Sequence, residues 1–348
     1  MNSTQSLKFV ETLEHRRFGE FCDACSRYRY IGLCYGRPGV GKTLSARRCS
    51  RWEYSDNVNP YTMPDEALSA LIGVRAIFYT TPVVNTPKQI NDDIVRLRSQ
   101  LQSLAKEPLR REAAQKLKQI NIRDNRHAEE MFTTHDWLSE PMPKLKPTYA
   151  AISRKYAAKE KCIGDPTRLI LVDEADRLKM ASLEQIRAIF DAGGIGLVLI
   201  GMPGLEKRLA RYAQFYSRIG FVHEFRPLNA PEMRQLLAKG WVPAGVTLPA
   251  ISALDAETAA AIIRVTGGNF RLLDRLLTQM ERIMRINDLA RVTKEVVESA
   301  RESLNRPGIK VLNGSIVHQN EAKVSGPARR GQPSVVLANP SWTWSLGT

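Results

Sequence analysis

The fold of this chain is decided by one stretch, Gly36-Arg37-Pro38-Gly39-Val40-Gly41-Lys42-Thr43. It matches G-x-x-x-x-G-K-[ST], the pattern of the P-loop that binds the phosphates of a nucleotide. The apolar run 30–35 before it predicts a buried strand, and the residues from Leu44 onward predict a helix. Glycines let backbone N–H groups approach phosphate, and the start of a helix adds a positive dipole end. We therefore predict that these eight residues and Leu44 bind a nucleotide.

Outside the P-loop, apolar runs that suit strands alternate with helical patterns. Strands are predicted at 74–80, 169–172, 195–201 and 223–228, a loop at 57–66 and a basic helix at 205–216. This alternation predicts an α/β core, a parallel sheet with helices on both faces. Nearly ninety residues separate the second and third strands, so about 86–165 is predicted to be a helical insertion, with helices at 106–120, 126–139 and 146–161 after a first helix from Thr86 to about 104.

The remaining segments give a division into four parts. We expect a helical lead-in over 1–29, the core over 30–228, and a helical lid over 229–303. Residues 304–348 are rich in Pro, Gly, Ser and Asn and end near Trp342 and Trp344, which predicts a flexible tail that either docks a partner or is inert. Because there is no signal-like start and no apolar run of membrane-spanning length, we expect a cytoplasmic protein without membrane contact.

The charge balance favours a polyanionic partner. The chain of 348 residues carries 51 Lys and Arg against 36 Asp and Glu, a net charge of +15. Such an excess suits nucleic acid, although it also serves solubility alone. The basic side chains crowd the first half of the insertion, where they are either phosphate contacts or a solvated helix face. The candidates for contact with duplex DNA are Lys88, Arg96, Arg98, Lys106, Arg110, Arg111, Lys116, Lys118 and Arg123.

The cysteines do not indicate a metal site. There are five, an odd number, which favours free thiols. Cys22 and Cys25 form one C-x-x-C pair, but no second pair is spaced to complete a zinc site. The pair is therefore interpreted as two helix residues.

Two acids complete a predicted hydrolytic site. Asp173 and Glu174 end the apolar strand 169–172, and the carboxyl ends of parallel strands share one edge of a sheet. Thr43 and Asp173 are predicted to hold Mg²⁺, since oxygen ligands suit that ion. Lys42 would neutralise the β- and γ-phosphates, and Glu174 would orient the attacking water.

These motifs, in this order, resemble the AAA+ ATPases. Gly36–Thr43 resembles Walker A, and Leu169–Glu174 resembles Walker B. Ser217-Arg218 resembles the arginine-finger motif of clamp-loader and initiator types, and Gly268-Asn269-Phe270-Arg271 resembles the sensor-2 segment of the lid. Within the family, the P-loop phrase and Leu-Ile-Gly-Met-Pro-Gly-Leu at 199–205 look most like the TnsC, TniB and MuB group, the ATP-dependent target-selection proteins of DNA transposition.

The resemblance implies roles and partners. Arg218 would reach in trans into the ATP site of a neighbouring copy, and Arg271 would contact the γ-phosphate side from the lid of the same chain. The protein would assemble with ATP and Mg²⁺ as a ring or helical filament on duplex DNA, recruit a transposase, and disassemble on hydrolysis. A target-selection protein is a further partner that the resemblance implies. One departure is notable: Gly201-Met202 stands where the family usually has a polar sensor-1 residue, which predicts slow hydrolysis.

Other functions fit the same motifs. A helicase, a clamp loader or a replication initiator shares them, although residues 304–348 are too short and polar for the winged-helix domain that an initiator usually adds. A signalling ATPase in which 86–165 binds protein instead of DNA is a further alternative. A scaffold with a degenerate P-loop is disfavoured by the intact Lys42, Thr43, Asp173 and Glu174.

Overall fold

The computed structural model of the chain describes residues 9–51, 62–134, 148–249 and 251–305. For residues 123–134, 148, 149 and 305 it describes the backbone alone. The predicted tail, 304–348, thus lies almost entirely outside the described residues. The predicted insertion helix 126–139 also extends beyond them.

Five parallel strands form the sheet that the alternation predicts. They are β1 (Ile31–Tyr35), β2 (Ala76–Thr80), β3 (Leu169–Asp173), β4 (Gly196–Gly201) and β5 (Ile219–Glu224), in the order β2-β3-β4-β1-β5. Thr80 is paired with Asp173, and Tyr35 with Gly201. The carboxyl ends of β1, β3 and β4 therefore lie side by side at one edge, which brings the P-loop, Asp173 and Gly201 together.

Helices cover both faces of this sheet. They are α1 (Leu13–Tyr28), α2 (Lys42–Cys49), α3 (Asp65–Leu71), α4 (Pro87–Thr134), α5 (Thr148–Lys161), α6 (Met180–Asp191), α7 (Leu205–Leu209) and α8 (Ala213–Tyr216). Side chains alternate across a strand, so β3 contributes to two cores: Ile170 packs in the core that contains Ile90 of α4, and Leu171 in the core that contains Phe18 of α1. Burial on both faces explains the unbroken apolar run of β3.

The lid has a core of its own. It consists of α9 (Ala230–Ala238), α10 (Ala256–Thr266), α11 (Phe270–Ile286) and α12 (Lys294–Asn305). Met233, Ile262, Leu276 and Val297 are fully or almost fully buried together at its centre. None of the described helices, α1 to α12, is long and apolar enough to cross a membrane.

The insertion differs from the prediction. Instead of separate helices to about 104, at 106–120 and from 126, α4 runs unbroken from Pro87 to Thr134, with Pro108 inside it. The apolar stripe ends near Leu104, which suggested a break. Charged pairs one turn apart continue the helix, such as Lys116 Nζ to Glu112 Oε1 at 2.8 Å. Packing against α5 also supports it, since the Tyr156 hydroxyl donates to Glu112 Oε1 at 2.7 Å.

Three other boundaries were wrong. The last strand covers 219–224 and not 223–228, because its last pair is Glu224 with Tyr35, and Pro227 has no N–H to continue a ladder. The predicted helix over 205–216 is two short helices, α7 and α8. The predicted loop 57–66 is described from residue 62 onward, and the helix α3 begins within it at Asp65.

The two C-x-x-C cysteines pack as helix residues. Cys22 and Cys25 lie on α1, buried against the sheet, and all five cysteines are free thiols. Among the described residues, no cluster of three or more His, Cys, Asp or Glu side chains could hold a metal ion.

At Gly268 the backbone of the lid lies close to Leu228, in the segment that follows β5. Gly268 has φ +76°, and a Cβ there would lie 1.9 Å from the Leu228 carbonyl oxygen. The Leu228 N–H donates to the Gly268 carbonyl at 3.0 Å. Neighbouring Gly267 also has positive φ, +54°, but nothing lies within 4 Å of its Cβ position. The two positions therefore separate steric conflict from backbone strain.

We expect Gly268→Ala to destabilise the protein much more than Gly267→Ala. The Gly267 variant should cost about 1 kcal/mol, the usual strain of a side chain in the left-handed region. The Gly268 variant adds a clash with backbone and should cost at least about 3 kcal/mol in the free energy of unfolding. Chemical denaturation measures both. Equal losses would contradict a close approach of backbone at this junction.

Candidate nucleotide site

The P-loop has the backbone that phosphate binding needs. Gly39 and Gly41 have φ of +80° and +110°. A Cβ at Gly36 would lie 2.3 Å from the Phe225 carbonyl oxygen. A side chain at any of these positions would strain or displace the loop, which explains the glycines of the motif. The loop ends at Lys42, the first residue of α2, so the N-terminus of α2 opens toward the site.

Lys42 lies folded over its own loop. Its Nζ donates to the carbonyls of Gly36 at 2.6 Å and Arg37 at 2.9 Å. Burial lowers the pKa of Lys42, while Cys34 and the nearby acids Asp173, Glu174 and Asp176 act to raise it. A buried ammonium surrounded by acids and carbonyls is a fixed positive charge at the floor of the site.

Asp173 and Thr43 meet as the metal prediction requires. Asp173 is only 3% exposed, and burial raises the pKa of its carboxyl group. A hydrogen bond with the Thr43 side chain and one from the Glu174 N–H, 3.0 Å from Oδ1, act in the opposite direction. A buried carboxylate beside a hydroxyl is an all-oxygen site that a hard divalent cation would stabilise. The residues present therefore fit Mg²⁺.

Glu174 adopts a backbone conformation that is uncommon for its type. Its φ is +55° and its ψ +38°, in the left-handed region. Non-glycine residues persist there only where the surrounding structure holds them, and functional sites are one of the places where they cluster. Its carboxylate lies 3.7 Å from Arg177 Nη2 and is 39% exposed. The turn thus directs Glu174 outward from the end of β3, along the wall of the cavity.

A cavity of about 340 Å³ connects these residues, a size typical of small-ligand sites. Its polar side is the P-loop with Asp173, Glu174 and Asp176. Its apolar side consists of side chains that were not predicted to be site residues, namely Phe9, Val10, Phe225, Trp241 and Phe270. A phosphate-binding loop on one side of the cavity and aromatic side chains on the other suit a nucleotide. Three residues just before α1, namely Phe9, Val10 and Thr12, line this cavity.

The lid touches the P-loop directly. The side-chain Nδ2 of Asn269 donates to the Pro38 carbonyl at 2.7 Å, and the Arg271 N–H donates to the Gly39 carbonyl at 3.2 Å. Asn269 Oδ1 also caps α11 by accepting from the N–H groups of Arg271 and Leu272. Arg271 consequently lines the cavity, so the structure brings this predicted nucleotide contact to the P-loop.

Asp176 is a site residue that the sequence reasoning missed. It lines the cavity, and its Oδ1 accepts from the Met202 N–H at 3.2 Å. It therefore stands against Gly201-Met202, where the polar sensor-1 group is missing. A signal was present in the sequence, because Asp173-Glu174-Ala175-Asp176 places a third acid just after the strand.

Arg218 lies away from the cavity of its own chain. Its carbonyl accepts from the Ile31 N–H at 3.1 Å, at the start of β1, whereas the P-loop follows the end of that strand. Five residues of a parallel strand span about 16 Å, beyond the reach of an arginine side chain. Its guanidinium instead contacts Asp191, with Nε to Oδ1 at 2.6 Å and Nη2 to Oδ2 at 3.0 Å. Arg218 therefore cannot serve the site of its own chain.

Most of the predicted DNA contacts are engaged within the chain. Arg98 pairs with Asp165 at 2.6 Å, and Arg110 with Glu160 at 2.5 Å. Arg96, Arg111 and Lys116 also contact carboxylates. Burial is incomplete in each pair, so these charges are partly neutralised but accessible. As a group these ion pairs support α4 and its packing on α5, and contact of the nine residues with DNA stays a prediction.

The other predicted DNA contacts are spread along α4. No ion pair is described for Lys88, Lys106 or Lys118 in the parts of the chain that the structure covers. Lys88 and Lys118 are exposed, and Lys106 lies near enough to Glu160 to act on its pKa. The side chain of Arg123 lies outside the described residues. From Lys88 to Lys118 the helix rises about 45 Å, so these lysines form separate points of charge.

Comparisons with known proteins agree with this site. The family model described as AAA domain matches residues 25–132 and 136–209. A Staphylococcus aureus protein named "Potential ATP-binding protein" is 41% identical over 305 residues, which cover 86% of this chain and 98% of that protein.

Solved structures are similar at lower identity. The RuvB Holliday junction branch migration motor of Thermotoga maritima is 14% identical with a TM-score of 0.45, over 85% of this chain and 70% of that one. The Aeropyrum pernix ORC1 protein, solved in complex with DNA, is 20% identical with a TM-score of 0.45, over 84% and 64%. The Aeropyrum pernix ORC2 protein is 14% identical with a TM-score of 0.49, over 89% and 72%.

Proposed function

The chain belongs to the AAA domain family, and on that premise we propose that it is an ATP-dependent, DNA-binding regulator of transposition. It assembles as a ring or helical filament on duplex DNA, recruits and activates a transposase, and disassembles when ATP is hydrolysed. The observation that carries the ATPase part is the meeting of Lys42, Thr43, Asp173 and Glu174 around one cavity. The transposition part is supported by the phrases 36–43 and 199–205.

The site residues divide the work of hydrolysis. The P-loop amides and Lys42 bind the phosphates, and Thr43 and Asp173 would hold Mg²⁺, which would neutralise charge on the phosphates. Glu174 accepts a hydrogen bond from the attacking water and polarises it. Arg271, at the start of α11, contacts the γ-phosphate side and links nucleotide state to the lid. Because phosphoryl transfer depends on positioning and charge stabilisation, these groups supply much of the chemistry.

A second subunit supplies one more cation to the site, the guanidinium of its Arg218. Arg218 lies at the edge of the sheet opposite its own P-loop, so it completes a site only across an interface between copies. Asp191 holds its guanidinium with two hydrogen bonds, and the Arg218 side chain is partly exposed. In a head-to-tail assembly each copy offers one P-loop and one Arg218. ATP then stabilises the assembly, and hydrolysis weakens it.

Contact with DNA is supported by the net charge of +15 and by the exposed lysines of α4. Phosphate contacts that read no bases would let such a regulator bind many target sequences. A helicase, clamp loader or initiator would share the same site. Only a regulator of transposition should stimulate a transposase, which separates our proposal from these functions. A signalling ATPase would not bind DNA at any salt concentration.

We expect DNA affinity, measured with ATP, to fall steeply with salt. Each phosphate contact contributes about −0.9 to the slope of log K against log salt. Lys88→Gln combined with Lys118→Gln should weaken binding and make the slope shallower by about 2. The matched control is Arg282→Gln with Arg285→Gln, which removes the same charge from exposed positions of α11.

The two variants give distinguishable outcomes. Loss confined to the lysine variant supports contact through α4. Equal losses in both would contradict this placement, and binding that does not change with salt would contradict the phosphate contacts themselves. Stimulation of transposase activity by the protein, ATP and DNA together tests the remaining part of the proposal.

A further inference from the structure

A second carboxylate is fixed at the end of β4, beside Glu174. Asp176 Oδ1 accepts from the Met202 N–H at 3.2 Å. The turn that carries it is clamped by Arg208, whose Nη1 donates to the Asp176 carbonyl and whose Nη2 donates to the Leu178 carbonyl, both at 2.7 Å. Side chain and backbone are thus both held, from β4 and from α7. Asp176 is as firmly placed as a catalytic group needs to be.

Gly201 leaves the space that this carboxylate uses. A Cβ at position 201 would lie 2.8 Å from Asp176 Oδ1 and 2.7 Å from Leu205 Cδ2. Any side chain there, polar or not, would therefore displace Asp176 or Leu205. The absent side chain at 201 and the acid at 176 are two parts of one arrangement. The polar group at the end of β4 is present, but it comes from the turn after β3.

The free part of Asp176 faces the cavity. Asp176 lines the cavity together with Glu174, Gly201 and Met202. For its Oδ2 no partner is described within residues 9–51, 62–134, 148–249 and 251–305. The Asp176 carboxylate also acts electrostatically on Lys42, the cation proposed to bind phosphate. Its charge therefore reaches the phosphate end of the cavity. One oxygen is an anchor and the other is an unused acceptor.

We propose that Asp176 is a second catalytic carboxylate, which orients the attacking water together with Glu174. The inference rests on the proposed ATP hydrolysis. A water molecule has two protons, and two fixed acceptors hold both, which directs its lone pair at the phosphorus. A donor side chain at the end of β4 would donate a hydrogen bond to the oxygen of this water. Asp176 instead accepts a hydrogen bond from the water.

The step balances without another reactant. The water oxygen forms a bond to the γ-phosphorus while the bond from that phosphorus to the bridging oxygen breaks and its electron pair leaves with ADP. One water proton stays on the inorganic phosphate. The other is taken up by a carboxylate and released to solvent.

The test is Asp176→Asn, measured by steady-state hydrolysis and by binding of a fluorescent ATP analogue. Asparagine retains an oxygen acceptor for the Met202 N–H and replaces the free acceptor with a donor. A structural role should therefore survive the change. The catalytic role should not: we expect kcat to fall by about 10²-fold, as for loss of one positioned group. ATP affinity should be unchanged or tighter, because a negative charge near the phosphates is removed, and the unfolding midpoint should not move.

Two parallel variants make the result decisive. Asp92→Asn, an exposed acid on α4, controls for the loss of one charge and should retain the wild-type rate. Glu174→Gln reports whether the proposed hydrolysis occurs here at all. If wild-type protein hydrolyses ATP, Glu174→Gln does not and Asp176→Asn does, the inference about Asp176 is overturned and the proposed function stands. Weaker ATP binding by Asp176→Asn would equally overturn it.

Discussion

Glu174→Gln is expected to lower the rate of ATP hydrolysis by about 10²- to 10⁴-fold while ATP remains bound. The amide has the shape of the carboxylate but is a much weaker acceptor for the proton of the attacking water. The residue lies at the cavity wall, and the ion pair described for its carboxylate is with Arg177 and not with Lys42. ATP binding measured by fluorescence and phosphate release measured over time separate the two effects. The variant should also remain assembled on DNA, because release requires hydrolysis.

A matched control guards against a general effect of charge. Glu20→Gln removes one carboxylate from an exposed position of α1 and should behave as wild type. Wild-type turnover by Glu174→Gln would contradict the assignment of the catalytic base. Loss of ATP binding in this variant would mean that Glu174 holds the nucleotide and not the water.

Arg218→Ala is expected to cause the largest loss of activity, about 10³- to 10⁵-fold, which is the usual effect of an arginine finger. The folded subunit should be little changed, because the ion pair with Asp191 is partly exposed and such pairs contribute about 0–1 kcal/mol. ATP binding to the isolated subunit should also be unchanged, since Arg218 lies beside the start of β1 whereas its own P-loop follows the end of that strand. Hydrolysis at a concentration that favours assembly measures the loss.

Arg187→Ala is the matched control for this variant. Arg187 contacts the same carboxylate, with Nη1 2.7 Å from Asp191 Oδ2, but lies on α6. It should retain most of the activity. If the two variants lose activity equally, the effect belongs to the Asp191 network and Arg218 is not the group that acts across the interface.

The central part of the fold could be predicted because its signals are local. The apolar run of β3 reports burial on both faces, and the glycines of the P-loop report a backbone that only they adopt easily. Errors occurred where distant residues decide. The end of β5 depends on its register with Tyr35, and α4 continues past its apolar stripe because Glu160 and Tyr156 of α5 support it.

The site residues likewise divide into those with a local sequence signal and those whose role depends on residues distant in the sequence. Lys42, Thr43, Asp173 and Glu174 could be predicted, since the first two follow β1 at the spacing of the P-loop motif and the other two stand where the apolar run of β3 ends. The basic cluster could not be judged, because Arg98 and Arg110 find their carboxylates 67 and 50 residues away in the sequence. Asp176 was missed for a related reason. Its significance depends on Gly201, which approaches it only when β3 and β4 are neighbours.

The central claim is that the nucleotide site is shared between two copies of the chain. It is tested most directly by mixing Glu174→Gln with Arg218→Ala, two variants that should each be inactive alone. In a head-to-tail assembly with random order, about a quarter of the interfaces combine the intact Glu174 of one variant with the intact Arg218 of the other. Hydrolysis is expected to return on mixing, in proportion to those interfaces and only under conditions that permit assembly. A mixture as inactive as its components, in assemblies shown to contain both variants, would contradict it.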